Sequence, residues 1–205
     1  MSDPIHLALI DDDEAVLDAL RHYFARRNIR PSCFYLAEDF LAAIDQEERF
    51  DCVVSDIRMP GLSGLDLAYR LKERGIVWPI ILITGHGDID MAVAAIKNGA
   101  FDFIEKPFDE ARLLTSIRQA VAKGREAESD AAELKELAVR FDALSGRQRQ
   151  VMELVAAGLS SKEIGSQLNI SPKTVDNHRA WLMERIGARN VAELVRMAMK
   201  IQKKP

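Results

Sequence analysis

The chain has 205 residues, 48% of them hydrophobic, and a net charge of −4, which suits one large or two small domains with real cores. No apolar run reaches the roughly 20 residues needed to cross a bilayer, and the N-terminus lacks the basic and then apolar pattern of a signal sequence. We therefore expect a cytoplasmic protein with no membrane partner.

The charge is divided unevenly along the chain. Residues 1–142 carry 17 Lys and Arg against 27 Asp and Glu, a net charge of −10, whereas residues 143–205 carry 11 against 5, a net charge of +6. An acidic region followed by a basic one predicts that the second part contacts a polyanion. The two cysteines, Cys33 and Cys52, have no metal-like or redox-like spacing, so we interpret both as core residues.

The first predicted strand, Ile5–Ile10, ends in four consecutive acids that begin with Asp11 and Asp12. An amphipathic helix follows over Glu14–Arg27, because apolar side chains recur there at helical spacing. Clustered acids repel one another at neutral pH unless a cation lies among them. Hard oxygen ligands favour Mg²⁺ over a softer metal.

The third predicted strand carries Asp56 at its exit. A second strand at about Ser32–Leu36 and a helix over Glu38–Asp45 precede it, and the apolar run Cys52–Val54 suits a parallel strand covered on both faces. Reactive groups in doubly wound sheets lie just beyond the carboxyl ends of strands, so Asp56 is a candidate site residue. Taken alone, an acid at this position is more often an ordinary acidic loop residue.

Two further strands end in different chemistry. Ile80–Ile83 leads into Thr84, and Phe101–Glu105 leads into Lys106-Pro107. Acids, a hydroxyl and an ammonium group together suit phosphoryl transfer onto the Asp56 carboxylate.

Five strand–helix pairs imply an α/β fold, a doubly wound five-stranded parallel sheet with right-handed crossovers. The later helices are predicted to start near Ser63, to span Ile89–Lys97 and to start at Asp109. The strand order 2-1-3-4-5 would place the first acids and Asp56 at the switch point between strands 1 and 3.

These residues and their order resemble the receiver domain of bacterial two-component response regulators, over roughly residues 4–123. The resemblance implies a receiver domain at 1–123 in which Asp56 accepts phosphate and Mg²⁺ is bound. It implies the following roles: Asp11, Asp12, Asp56 and the backbone carbonyl of Arg58 as metal ligands, Thr84 and Lys106 as phosphate-binding switch residues, Phe103 as the switch aromatic, and Lys106-Pro107 as a cis peptide bond.

Arg58 and His86 follow Asp56 and Thr84 by two residues, where receivers face the water that attacks the acyl phosphate. Both side chains could shield that bond and lengthen its life, or both could simply be solvated. The leading enzyme alternative is a phosphatase with an aspartyl-phosphate intermediate. Such enzymes usually need a second acid at the position that Arg58 occupies. We therefore expect no enzyme beyond slow hydrolysis of its own aspartyl phosphate.

Residues 124–142 are rich in helix formers and charge and lack proline, which predicts a helical linker. Residues 143–205 then carry four helix signals. Two of these signals are capping boxes that start at Ser145 and Ser160, and a third is Ser171-Pro172, an N-cap followed by proline at the first helical position. Two short helices joined by a tight turn predict a small all-α helix-turn-helix domain.

The second of these two helices has distinct faces. Val175, Leu182 and Ile186 should pack inward, whereas the opposite face begins with Lys173 and Asn177. That outer face would enter a major groove, and the candidate DNA contacts are Lys173, Thr174, Asn177, His178 and Arg179. A solvated face on a protein- or RNA-binding module is the alternative.

This segment is similar to the LuxR-type DNA-binding domain over about residues 142–200, through Leu144-Ser145, Lys162-Glu163-Ile164, Thr174-Val175 and Gly187, among others. Two positions depart from it: Asp176 stands where Lys is common, and Gly165 stands where Ala is usual. With the stretches 83–88 and 103–108, the chain as a whole is most similar to the FixJ subfamily of response regulators.

That resemblance implies a phosphorylation-switched transcription factor. A sensor histidine kinase would phosphorylate Asp56, the phosphorylated protein would form a homodimer, and the dimer would bind double-stranded promoter DNA, with activation of transcription the expected outcome. RNA polymerase is a candidate further partner.

Overall fold

The computed structural model describes residues 3–85 and 89–202. The chain divides into two compact units, Met1–Ala127 and Glu128–Pro205. Within the described ranges, no helix combines the length and the apolar character needed to cross a bilayer.

The first unit is built on a five-stranded, all-parallel sheet in the order β2-β1-β3-β4-β5, which confirms the predicted fold class. The strands are β1 (Ile5–Ile10), β2 (Ile29–Phe34), β3 (Cys52–Asp56), β4 (Ile80–Thr84) and β5 (Asp102–Glu105). The helices are α1 (Glu14–Ala25), α2 (Ala37–Asp45), α3 (Gly64–Glu73), α4 (Ile89–Lys97) and α5 (Glu110–Asp142).

Each face of the sheet is covered by its own core, because successive residues of a strand point to opposite faces. Leu9 and Val54 belong to the core that also contains α1 and α5 side chains, including Phe24 and Ile117. Alternate residues such as Ile10 belong to the core formed with α2 and α3. Burial on both faces explains why Cys52–Val54 of β3 and Ile80–Ile83 of β4 are continuous apolar runs.

The predicted bounds of the second strand were wrong. Strand β2 begins at Ile29 rather than at Ser32 and ends at Phe34 rather than at Leu36. Pro31 lies inside it, opposite Leu7 of β1. Proline cannot donate a ladder hydrogen bond, but β2 is an edge strand of the sheet, where that donor is not required.

Helix α5 runs without interruption through residues 110–142, which include the predicted linker. Leu137 and Phe141, near its end, are buried in the core of the second unit. The predicted division at 123 therefore coincides with no break in this helix, whereas the division at 142 lies where the helix ends.

The second unit is helical. Its further helices are α6 (Gly146–Ala156), α7 (Ser161–Leu168), α8 (Pro172–Ile186) and α9 (Val191–Gln202). Both predicted capping boxes are present, at Ser145 with Gln148 and at Ser160 with Glu163. Asn169, in the left-handed conformation, ends α7 and begins the short turn into α8. The fully buried Val175, Leu182 and Ile186 face the core, as the spacing predicted.

Candidate functional site

The acidic site lies where β1 and β3 end side by side. Ile10 pairs with Ser55, so Asp11 and Asp56 follow at the same edge of the sheet. Asp11 is 3% exposed and Asp56 is 9% exposed, whereas Asp12 is exposed. Burying two carboxylates side by side is unfavourable unless positive charge compensates them.

Lys106 supplies that positive charge. Its Nζ donates to Asp11 Oδ2 at 2.6 Å and to Asp56 Oδ2 at 3.2 Å. The lysine directly follows β5 and comes from the other side of β4, and its peptide bond to Pro107 is cis. One ammonium group therefore bridges two acids that are 95 and 50 residues away in the sequence.

The remaining carboxylate oxygens accept backbone hydrogen bonds. Asp11 Oδ1 accepts from the Asp13 N–H at 2.9 Å, and Asp56 Oδ1 accepts from the Ile57 N–H at 2.7 Å. These bonds fix the orientation of both side chains, because a carboxylate held at each oxygen has little rotational freedom.

Burial and pairing shift the ionisation of this group. Burial raises the pKa of the Asp11 carboxyl, although hydrogen bonds from Lys106 and from the Asp13 N–H oppose that effect. Burial alone would lower the pKa of Lys106, but its hydrogen bond to Asp11 and the charges of Asp11 and Asp56 outweigh burial and raise it. Lys106 therefore carries its positive charge throughout the neutral range.

The carboxylates of Asp11, Asp12 and Asp56 form a candidate cation site. One oxygen from each lies within 4.8 Å of the others. Three hard oxygen donors at this spacing, one of them exposed, fit a small divalent cation that keeps part of its water shell. The predicted metal ligands Asp11, Asp12 and Asp56 are thus brought together.

The predicted switch residues lie on the neighbouring strands. Thr84 is fully buried at the end of β4, one residue past the Ile83 that pairs with Asp56. Phe103 is half-buried on β5 and packs against the core that covers α2 and α3. Arg58 is exposed just beyond β3, and His86 lies outside the described residues.

Two supports of this site were missed by sequence reasoning. A Cβ atom added to Gly64 would lie 2.3 Å from the backbone oxygen of Asp56, so only glycine fits where α3 begins. Glu38 of α2 accepts a hydrogen bond from the Leu62 N–H at 3.0 Å and so holds the β3–α3 loop. The signal for Gly64 was present as the residue after the Ser63 N-cap, whereas nothing local marks Glu38.

The helix-turn-helix lies in α7 and α8. Lys173 and Asn177 of α8 are exposed, and Thr174, His178 and Arg179 are half-buried. Gly165 of α7 is explained by the turn, because a Cβ there would lie 2.7 Å from the Ile170 carbonyl oxygen. The glycine lets the turn approach α7 closely enough to set the crossing of the two helices.

Arg179, one of the predicted DNA contacts, makes hydrogen bonds within the protein. Its Nη2 donates to the Leu159 carbonyl and its Nη1 to Ser161 Oγ, both at 2.9 Å. Within the described ranges, the side chains of the other predicted contacts make no hydrogen bonds to other helices, although Thr174 Oγ1 bonds to Ser171 Oγ at the start of α8.

Known proteins share both units of this chain. A family model described as the response regulator receiver domain matches residues 7–118, and one described as bacterial regulatory proteins of the luxR family matches residues 142–198. The transcriptional regulatory protein FixJ of Bradyrhizobium diazoefficiens is 43% identical over 195 residues, covering 95% of each chain. The response regulator protein TmoT of Ectopseudomonas mendocina is 40% identical over 194 residues, covering 95% of this chain and 85% of its own.

Two solved structures resemble the whole chain. The response regulator StyR matches with a TM-score of 0.79 at 35% identity, covering 96% of this chain and 99% of its own. Full-length FixJ from B. japonicum matches with a TM-score of 0.62 at 40% identity, covering all of both chains.

A cluster of acids at the carboxyl edge of a doubly wound sheet, followed by a LuxR-type helix-turn-helix, defines a class of signalling protein, and this chain belongs to it as a two-component response regulator of the FixJ type. It is a transcriptional regulator with a receiver domain and a DNA-binding domain.

Proposed function

We propose that Asp56 accepts a phosphoryl group from a sensor histidine kinase or a small phosphodonor, and that the phosphorylated protein dimerises and binds promoter DNA. The observation that carries this proposal is the contact of one ammonium group, Lys106, with both Asp11 and Asp56. This contact supports phosphorylation of Asp56, because the positive charge that would stabilise a phosphoryl group already lies beside its carboxylate.

In the transfer, an oxygen of Asp56 attacks phosphorus while the bond from phosphorus to the donor breaks. Lys106 neutralises charge on the phosphoryl oxygens, and the buried Thr84 hydroxyl donates a hydrogen bond to one of them. Asp56 needs no base for this step, because a carboxylate attacks as the anion.

A divalent cation would be held by Asp11, Asp12, Asp56 and the backbone carbonyl of Arg58. The three acids that lie within 4.8 Å of one another support this set, and their hard oxygens favour Mg²⁺. When bound, Mg²⁺ supplies charge neutralisation at the phosphoryl oxygens.

Phosphorylation adds roughly one to two negative charges and several acceptor oxygens at Asp56. Thr84 and Lys106 then move toward the phosphoryl group, and Phe103 turns inward. The surface formed by α4, β5 and the start of α5 changes shape as a result and becomes the dimer interface.

In the dimer, two copies of α8 meet two half-sites of duplex DNA, and tethering multiplies their affinities. The exposed Lys173 and Asn177 reach base edges, and Thr174, His178 and the N-terminus of α8 contact phosphates. The protein acts in the cytoplasm, where the bacterial chromosome lies, as an activator that contacts RNA polymerase.

The phosphoryl group is finally lost by slow hydrolysis. The Arg58 side chain is exposed two residues past Asp56, and together with His86, which lies outside the described residues, it shields the acyl phosphate from water. Equal dephosphorylation rates in Arg58→Ala, His86→Ala and the unchanged protein would remove this part of the proposal.

Intact-mass spectrometry tests the central step. The full chain, incubated with acetyl phosphate and Mg²⁺, should gain the mass of one phosphoryl group, and Asp56→Asn should gain none. Asp39→Asn, the same change at an exposed acid of α2, should behave like the unchanged protein. A phosphoryl group retained in Asp56→Asn would show that the acceptor is another residue.

A further inference from the structure

Asp176 is an acid in a place where acids weaken DNA binding. It is exposed within the first two turns of α8, three residues after Lys173 and directly before Asn177, and so lies on the side proposed to face DNA. A negative charge there repels phosphates. Asp176 is therefore not a phosphate contact.

A chain of hydrogen bonds fixes its orientation. Arg179 Nη1 donates to Ser161 Oγ at 2.9 Å, and Ser161 Oγ donates to Asp176 Oδ1 at 2.6 Å. A guanidinium group can only donate and an ionised carboxylate can only accept, so the single hydroxyl proton of Ser161 must point to Asp176. The order from cation to hydroxyl to anion is unambiguous.

Arg179 is itself held firmly. Its Nη2 donates to the Leu159 carbonyl, and its Nε is buried and has no hydrogen-bond partner among the described residues. The guanidinium therefore faces the start of α7 rather than the outer side of α8. Its charge lies near Asp176 and partly offsets the repulsion between that acid and DNA.

The second carboxylate oxygen of Asp176 remains for a ligand. Within residues 3–85 and 89–202, Oδ2 accepts no hydrogen bond, and the side chain is exposed. In the major groove, guanine and thymine present acceptors, which repel a carboxylate, and adenine presents an acceptor beside its amino group. Cytosine presents its amino donor alone.

We propose that Asp176 is a specificity-determining residue that accepts a hydrogen bond from the amino group of a cytosine in the major groove. Ser161 and Arg179 are positioning residues that set the direction of its carboxylate. The inference rests on the proposed insertion of α8 into the major groove.

A binding selection on random duplex DNA tests the proposal with the full chain, acetyl phosphate and Mg²⁺. The unchanged protein should enrich cytosine at one position of each half-site. Asp176→Ala should lose that preference by on the order of tenfold or more, and the isosteric Asp176→Asn should shift it toward adenine, whose edge matches an amide.

Glu184→Ala is the matched control. Glu184 is another exposed acid of α8, two turns further along, so its removal changes net charge equally. It should leave the selected base at every position unchanged. Ser161→Ala, which leaves α8 intact, should weaken the cytosine preference without abolishing binding.

Salt dependence distinguishes the role of Arg179. Loss of a phosphate contact lowers the slope of log affinity against log salt by about one. Arg179→Met should keep the slope of the unchanged protein while losing part of the cytosine preference. A slope reduced by about one would make Arg179 a DNA contact and overturn its positioning role.

The outcomes that overturn the inference are separable from failure of the proposed function. If the unchanged protein selects no sequence, both the proposed DNA recognition and the role of Asp176 fall. If it selects a sequence that Asp176→Ala selects equally well, only the role of Asp176 falls. The same holds if Asp176→Ala and Glu184→Ala merely raise affinity for all sequences alike.

Discussion

Lys106 shows most directly how single residues control this site. It lies between two acids that are almost fully buried, and its own side chain is 24% exposed. Removing one partner of a buried ion pair is costly because the other charge loses its compensation. Residual exposure reduces that cost through solvent screening.

Lys106→Met should therefore lower the free energy of unfolding by about 1–3 kcal/mol. Chemical denaturation in buffer without divalent ions measures it. Added Mg²⁺ should restore part of the loss, because a cation bound only by the folded state stabilises that state.

Asp11→Asn in the Lys106→Met background should also recover stability, because it removes one of the two uncompensated charges. Lys72→Met, at an exposed position of α3, serves as the control and should change little. If Lys106→Met were as stable as this control, the ammonium group would not compensate the two acids.

Gly64 affects the site sterically rather than through charge. A methyl group there would meet the Asp56 carbonyl oxygen at 2.3 Å, so Gly64→Ala must push the β3–α3 backbone away. We expect a loss of about 1–3 kcal/mol in the free energy of unfolding, as for other overpacked positions, and slower phosphorylation by acetyl phosphate.

Gly146→Ala is the matched control for this change. A Cβ at Gly146 would meet no heavy atom within 4 Å, and alanine suits the first turn of α6 better than glycine does. Its stability should be unchanged or higher. Equal stability of both variants would show that the β3–α3 loop accommodates a side chain.

At the scale of elements, the helices of the second unit depend on their ends. Asn190 Oδ1 accepts from the Glu193 N–H, and the Glu193 carboxylate accepts from the N–H and guanidinium of Arg189. These bonds satisfy donors that the start of α9 would otherwise leave unpaired. Hydrogen bonds from the Arg189 side chain and backbone lower the pKa of Glu193 to about 2.

The lowered pKa predicts a pH dependence. A carboxyl group whose pKa is lower when folded contributes stability that is present above the ordinary value of 4.5 and is lost as the pH falls toward about 2. The second unit of Glu193→Gln should be less stable than the original at pH 7, and the difference should shrink over that window.

Trp181 in α8 can report this unfolding by fluorescence once Trp78, the only other tryptophan, is changed to phenylalanine. Glu153→Gln, at an exposed position of α6, is the control and should show no such convergence. A stability difference that stays constant from pH 7 to pH 2 would exclude Glu193 as its source.

For the whole molecule, the division of charge decides how the two units act. The acidic first part repels DNA and the basic second part attracts it. A dimer carries two basic parts and a monomer only one, so DNA affinity should depend on dimerisation. We expect acetyl phosphate and Mg²⁺ to shift the full chain from monomer to dimer in gel filtration. DNA affinity should increase at the same time.

Added salt should weaken DNA binding steeply, because binding releases counterions from the DNA. The preference for one sequence should persist. Asp56→Asn should remain monomeric, and Asp39→Asn should dimerise normally. Normal dimerisation of Asp56→Asn would separate phosphorylation from assembly.

Sequence alone determined most of the secondary structure and the membership of the acidic site. Buried strands such as β3 and capping boxes such as that of Ser160 are encoded within a few neighbouring residues, and so is the exit of each strand into Asp11, Asp56 or Lys106. Only the tertiary structure decided how those residues pair.

Lys106 lies closer to Asp11 than to Asp56, and Arg179 turns toward α7 instead of outward. Strand β2 can include Pro31 because it lies at the edge of the sheet. The end of α5 belongs to the second unit because its apolar side chains are buried in the core of that unit. These outcomes depend on groups brought together from distant parts of the chain, whose competition for the same hydrogen bonds and buried volume leaves no local pattern.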